Sequence, residues 1–127
     1  MGRPHIEFIQ AQVLPWQKGI PATDARPGVE CKVLSLDGET GASTCVVRYP
    51  AGWSQGAPES LVADEEFFVL EGELRINGVT YSRNSYAHLP DGFPRESTES
   101  AGGAAVLTFF SARPDTGPAK TSFRNDR

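Results

Sequence analysis

Few side chains in this sequence are equipped for chemistry, and their placement narrows what that chemistry can be. His88 lies two residues before Pro90, on a strand-like run that sets Tyr86 on the same side. If that side faces inward, His88 is an acid/base group or a metal ligand; if not, it is a structural hydrogen-bonding residue. His5 sits near the N-terminus and is expected to be solvated. Trp16 and Trp53 fall in loop-like segments, where they either close a cavity mouth over a ligand or pack into the core. The two cysteines, Cys31 and Cys45, lie on neighbouring runs joined by Asp37-Gly38-Glu39-Thr40-Gly41. A turn centred near Glu39 puts Cys31 opposite Val47 and Cys45 opposite Val33. The thiols are then diagonal neighbours, roughly 7–8 Å apart at Cα, too far for an easy disulfide. A register slip would bring them opposite each other; free buried thiols in a reducing compartment are the expectation.

The elements that must position these groups are short strands. The chain has 127 residues, 39% hydrophobic and 22% charged, which suits one soluble domain with a modest core. Gly and Pro together make 23 residues and punctuate the chain at short intervals. Between them lie β-favouring runs at Val29–Leu36, Ala42–Tyr49, Glu66–Leu70, Glu73–Ile76, Val79–Ser82, Ser85–Leu89 and Ala104–Ser111. Asn77-Gly78 is the clearest hairpin signal, with Asp37-Gly38 and Asp91-Gly92 as further turns. No stretch keeps helical periodicity for three turns. Many short strands with regular turns mean an all-β sandwich or barrel. A single domain is expected over 1–113, with 15–28 as a loop over one barrel end and 114–127 as a polar, flexible tail.

The run Gly52 to Leu74 resembles the first motif of the cupin superfamily: Gly, five residues, His-x-His, three or four residues, Glu, six residues, Gly. Glu65 and Gly72 keep the last spacing, and Phe68-Val69-Leu70-Glu71-Gly72-Glu73-Leu74 is close to the family's wording. The second motif reads Gly, five residues, Pro-x-Gly, two residues, His, three residues, Asn. Asn84, Pro90, Gly92, Arg95 and Glu99 stand at those places. The phrase Lys32 to Ala42 resembles the cupin domains related to ChrR-type anti-sigma factors. The resemblance implies a double-stranded β-helix, or jelly-roll, barrel.

It also implies a degenerate site. Family metal centres use two histidines, a glutamate and a third histidine. On the three-residue spacing the first two places hold Glu59 and Leu61; on the four-residue spacing, Pro58 and Ser60. The third holds Arg95, and only Glu65 survives. A guanidinium neither ligates nor loses its proton, so no cofactor is expected and a divalent metal only through an atypical site. Glu65 and Arg95 then make either a buried ion pair or a working pair, with Glu65 (and His88) as acid/base groups and Arg95 holding an anionic group. Tyr86, Glu59 and Trp53 complete the candidate ligand contacts.

Three functions follow. The first is a small-molecule-binding barrel, its ligand oriented by Arg95 and Glu65. The second is an enzyme, namely a lyase, isomerase or cyclase working by metal-free acid/base chemistry, or less readily a metal-dependent dioxygenase. The third is a structural or interaction barrel. The net charge of −4 and the lack of a basic cluster argue against nucleic acid. No apolar run approaches a membrane span, and a cytoplasmic location is expected. Alternation in the Glu65 strand turns Phe68 and Leu70 outward. Such a face needs cover, from a homodimer partner or from the chain's own Ile6–Leu14.

Overall fold

The computed structural model describes residues 11–20, 26–55 and 57–120. Among the described residues a 3-10 turn at Ala11–Val13 precedes nine strands: β1 (Gln17–Lys18), β2 (Glu30–Leu36), β3 (Ser43–Tyr49), β4 (Trp53–Ser54), β5 (Glu65–Ile76), β6 (Val79–Ser82), β7 (Tyr86–Leu89), β8 (Thr98–Ser100) and β9 (Ala104–Phe110). The main path runs β1-β2-β3-β9-β5-β8-β4, with β6 and β7 also paired to β5, and every pairing is antiparallel. The N-terminal half of β5 pairs with β7 and the C-terminal half with β6 and β8. One strand therefore belongs to both layers of the curled sheet.

Period-two patterning decides what fills the interior. Cys45, Val47 and Tyr49 of β3, Val106 and Phe110 of β9, and Phe67 and Val69 of β5 are all buried. Glu65 shares their face and is buried with them. Cys31 pairs with Val47 and Val33 with Cys45, the expected register, and both thiols are free and buried. Asn77 and Gly78 take positive φ, 52° and 81°, and close the β5–β6 hairpin as an Asn-Gly turn does. On the outer side Phe68 is half-buried and Leu70 exposed. Of the segment expected to cover them, residues 6–10 lie outside the described residues.

Three features depart from the sequence reading. The runs 66–70 and 73–76 are one twelve-residue strand, because Gly72 bends the chain without ending it, next to a register shift between Val69 and Glu71. Segment 15–28 is not wholly a loop: Gln17 and Lys18 pair with β2, and Arg26 is buried. Residues 114–120 are tied down, with Pro114 buried, Thr116 bridged to Leu61, and the Gly117 and Lys120 amides donating to the Ser60 and Gly92 carbonyls. Residues 121–127 lie outside the described residues.

Gly72 has a measurable role. Its φ is +73°, and an added Cβ would lie 2.1 Å from the Gly103 carbonyl oxygen. Gly78 has φ +81° but open space around it. Gly72→Ala should therefore cost about 3 kcal/mol, strain and overpacking together, and Gly78→Ala only about 1. Urea unfolding of the two variants checks this; equal losses would contradict it.

Candidate functional site

Three parts of the chain converge on Glu65. Glu59 and Arg95 lie on adjacent segments joined by reciprocal backbone hydrogen bonds, Glu59 N to Arg95 O at 2.9 Å and Arg95 N to Glu59 O at 2.8 Å. Both side chains turn inward. Arg95 Nη1 is 3.0 Å from Glu59 Oε1, and Arg95 Nη2 is 2.6 Å from Glu65 Oε1. The third part is Arg26, from the segment before β2. Its Nη2 reaches Glu65 Oε1 at 2.8 Å and Glu59 Oε1 at 3.1 Å. Its Nη1 reaches Glu65 Oε2 at 3.3 Å and donates to the Tyr49 hydroxyl at 2.8 Å, while Nε contacts Glu59 Oε1 at 3.2 Å. All four charged side chains are only 2–3% exposed.

The electrostatics of this quartet are those of a closed unit. Two carboxylates and two guanidiniums cancel, so the interior holds charge without net charge. Burial pushes the Glu65 carboxyl above its ordinary range, an effect the Arg26 guanidinium opposes. Burial also works against the Arg26 charge, but Glu65, Tyr49 and Glu59 outweigh it and hold that group well above its usual value. Burial raises the Tyr49 phenol as well, so it stays protonated at neutral pH.

Trp53 explains how a residue from an irregular segment reaches this depth. Its indole Nε1 donates to the Pro27 carbonyl at 2.8 Å, and its ring meets Tyr49 edge-on at 5.1 Å. Gly28, at φ +90°, lets the chain pass against the indole, where a Cβ would come within 3.3 Å. The indole thus pins the residues that follow Arg26. The tryptophan acts as a brace for the arginine, buried itself and packed in the core.

The sequence candidates separate cleanly. Glu59, Glu65 and Arg95 come together, on the register with Glu59 and Leu61 at the first two ligand places. Tyr86 and His88 share a face, as alternation requires, but that face is the outer one. Tyr86 is 56% exposed and donates to Glu66 at 2.6 Å. The His88 side chain is 48% exposed and lies 3.9 Å from Asp64. Neither reaches Glu65, which corrects their expected roles as acid/base group and ligand contact. Ala87 and Leu89 take the inner positions of β7. Arg26 and Tyr49 were not anticipated. Once Glu59 and Glu65 are both known to be buried beside Arg95, the charge left over calls for a second cation, which Arg26 supplies.

A resident metal does not fit this donor set. Both carboxylates are engaged by guanidiniums, and burial pushes the Cys45 thiol up, away from the thiolate form a metal would need. Among the described residues no three His, Cys, Asp or Glu side chains gather as a metal group would. The quartet should instead behave as buried ion pairs do. Arg95→Met should cost about 3–5 kcal/mol by leaving carboxylate charge uncompensated. Arg48→Met, which removes an exposed pair with Glu30, should cost under about 1 kcal/mol. Chemical unfolding measures both, and similar values would speak against a structural quartet.

Comparison with known proteins agrees with the architecture. The solved structures similar to this chain include a putative acetylacetone dioxygenase from Methylibium petroleiphilum, with TM-score 0.69 and 22% identity over 85% of this chain and 78% of that one. A putative dioxygenase from Nostoc punctiforme aligns with TM-score 0.80 and 18% identity over 98% of this chain and 49% of that one, so the chain spans about half its length. KdgF from Halomonas sp. gives TM-score 0.64 and 16% identity over 86% and 96%. At these identities the likeness shows the fold alone. No curated protein matches. The sequence model of the ChrR Cupin-like domain matches residues 5–113, most of the chain. The chain is a member of the ChrR cupin-like family, a jelly-roll barrel with an ion-pair quartet at its centre.

Proposed function

We propose that this chain is a metal-independent cupin barrel serving as a structural or interaction module rather than a centre of turnover. The observation that carries the reading is the Arg26–Glu59–Arg95–Glu65 quartet, in which Glu59, Glu65 and Arg95, standing at family metal-ligand positions, are paired with one another and with Arg26. A general base must reach a substrate proton at hydrogen-bonding distance. Glu65 presents its carboxylate to two guanidiniums instead and is 2% exposed. His88 and Tyr86 lie on the opposite side of the sheet from it, so a metal-free acid/base relay through these three residues has no geometry to work with. The dioxygenase labels carried by two structural neighbours favour the enzymatic alternative, but the donor set here argues the other way.

One observation favours small-molecule binding as a second reading. A cavity of about 310 Å³ lies between Pro58–Ser60, Pro94–Glu96 and the Thr116-Gly117 stretch, with Glu59 and Arg95 in its lining. Arg95 Nε is buried with no hydrogen-bond partner among the described residues. A ligand carrying a hydrogen-bond acceptor would satisfy that donor without breaking the ion pairs. In this reading Arg95 orients the ligand from the rim, while Glu65 holds Arg95 in place.

Elemental analysis separates the metal-independent reading from a metal-dependent one. Protein incubated with iron, zinc, manganese or copper salts and then desalted should retain less than about 0.1 equivalent of any of them, given the missing donors. Retention of one equivalent that disappears in Glu65→Gln would overturn the proposal.

A further inference from the structure

The Arg26 side chain is held as a bound ligand would be, and its contacts define a site. The Glu65 carboxylate takes Nη2 and Nη1 on its two oxygens, at 2.8 and 3.3 Å. Glu59 Oε1 takes Nη2 and Nε, at 3.1 and 3.2 Å. The Tyr49 hydroxyl takes Nη1 at 2.8 Å. These acceptors follow the planar fork of a guanidinium, which spreads five N–H donors in one plane. An ammonium group, with three donors in a cone, matches them poorly.

Charge narrows the occupant further. Without Arg26 the cradle holds Glu59, Glu65 and Arg95, two negative charges against one positive, and is short of a single positive charge. Arg95 stays beside both carboxylates, at 3.0 and 2.6 Å, and repels a dication.

We infer that Glu59, Glu65 and Tyr49 form a guanidinium-binding site inside the barrel, occupied in cis by Arg26, whose ligand class in trans is a small monovalent guanidinium compound. The inference rests on the metal-free reading of the centre, and the two fail differently. A stoichiometric metal in the wild-type protein defeats that reading; the outcomes below bear on the cradle alone.

The experiment is chemical rescue of Arg26→Ala. Guanidinium chloride from 0 to 50 mM is added to the full chain, with sodium chloride, methylammonium chloride and zinc chloride as matched comparisons, and thermal unfolding is followed by near-ultraviolet circular dichroism. Binding to the folded state alone raises the midpoint saturably, by about 3 °C or more once the ligand exceeds its dissociation constant several-fold. Only guanidinium should do this, and only in the variant, because the wild-type site is full and its midpoint should fall slightly. Adding Glu65→Gln to the variant should abolish the rise. If Arg26→Ala is unfolded in buffer, guanidinium should restore its near-ultraviolet signal. Arg26→Lys provides an independent arm: it keeps the charge but loses the fork, and should unfold well below wild type. Absence of rescue, rescue by methylammonium or zinc to the same extent, or wild-type stability in Arg26→Lys would each overturn the inference.

Discussion

Two carboxylates buried in one small barrel cannot both remain charged unless cations are buried with them, and the centre of this protein is organised around that constraint. Desolvating an isolated ionised carboxylate costs several kcal/mol even after the protein relaxes. Glu59 and Glu65 meet the constraint by sharing Arg26 and Arg95, each of which touches both. The arrangement is cyclic, so removing any one member strands its neighbours. A buried network of this kind adds little stability over a well-packed apolar core. It does make the alternatives costly, and so it specifies one packing of the strands that carry it.

The quartet reaches outward through aromatic side chains. Tyr49 accepts from Arg26 and packs edge-on against Trp53, and Trp53 holds the Pro27 carbonyl. Backbone geometry, aromatic packing and charge pairing therefore support one another around a residue that belongs to no strand. The region before β2 is linked to the barrel centre, and β4, a two-residue strand, has its conformation tied to the same point. Trp16 works on the outer surface instead, its ring covered by the Arg48 guanidinium at 3.8 Å and approached by the Lys32 ammonium at 4.8 Å.

The structural neighbours show how little a barrel says about what happens inside it. Their names include dioxygenases and KdgF, and the superposition on this chain is good at identities near 20%. Jelly-roll geometry brings four positions on separate strands and segments to one point. What stands at those positions decides whether the point is a metal centre, a catalytic dyad or a filled core. Here Glu59, Glu65 and Arg95 stand there as ion pairs completed by Arg26, and the turn at Gly72 and the hairpin at Asn77-Gly78 serve the barrel whatever its centre does.

Much of this was legible before any coordinates. Alternation along residues 65–69 put Glu65 on the face of Phe67 and Val69, and turn chemistry set the register that pairs Cys31 with Val47. Motif spacing put Glu65 and Arg95 at ligand places and left the first place open between Glu59 and Pro58. These are local signals, carried by period two and by turns of a few residues. Which face of β7 turns inward was not among them: alternation groups Tyr86 with His88 but is blind to the direction of the barrel axis. Arg26 was hidden for a related reason, since its partners lie 33 and 39 residues away and its own segment has no periodicity. Only the closed barrel, by bringing two carboxylates and one guanidinium into a dry interior, created the charge deficit that a second arginine fills.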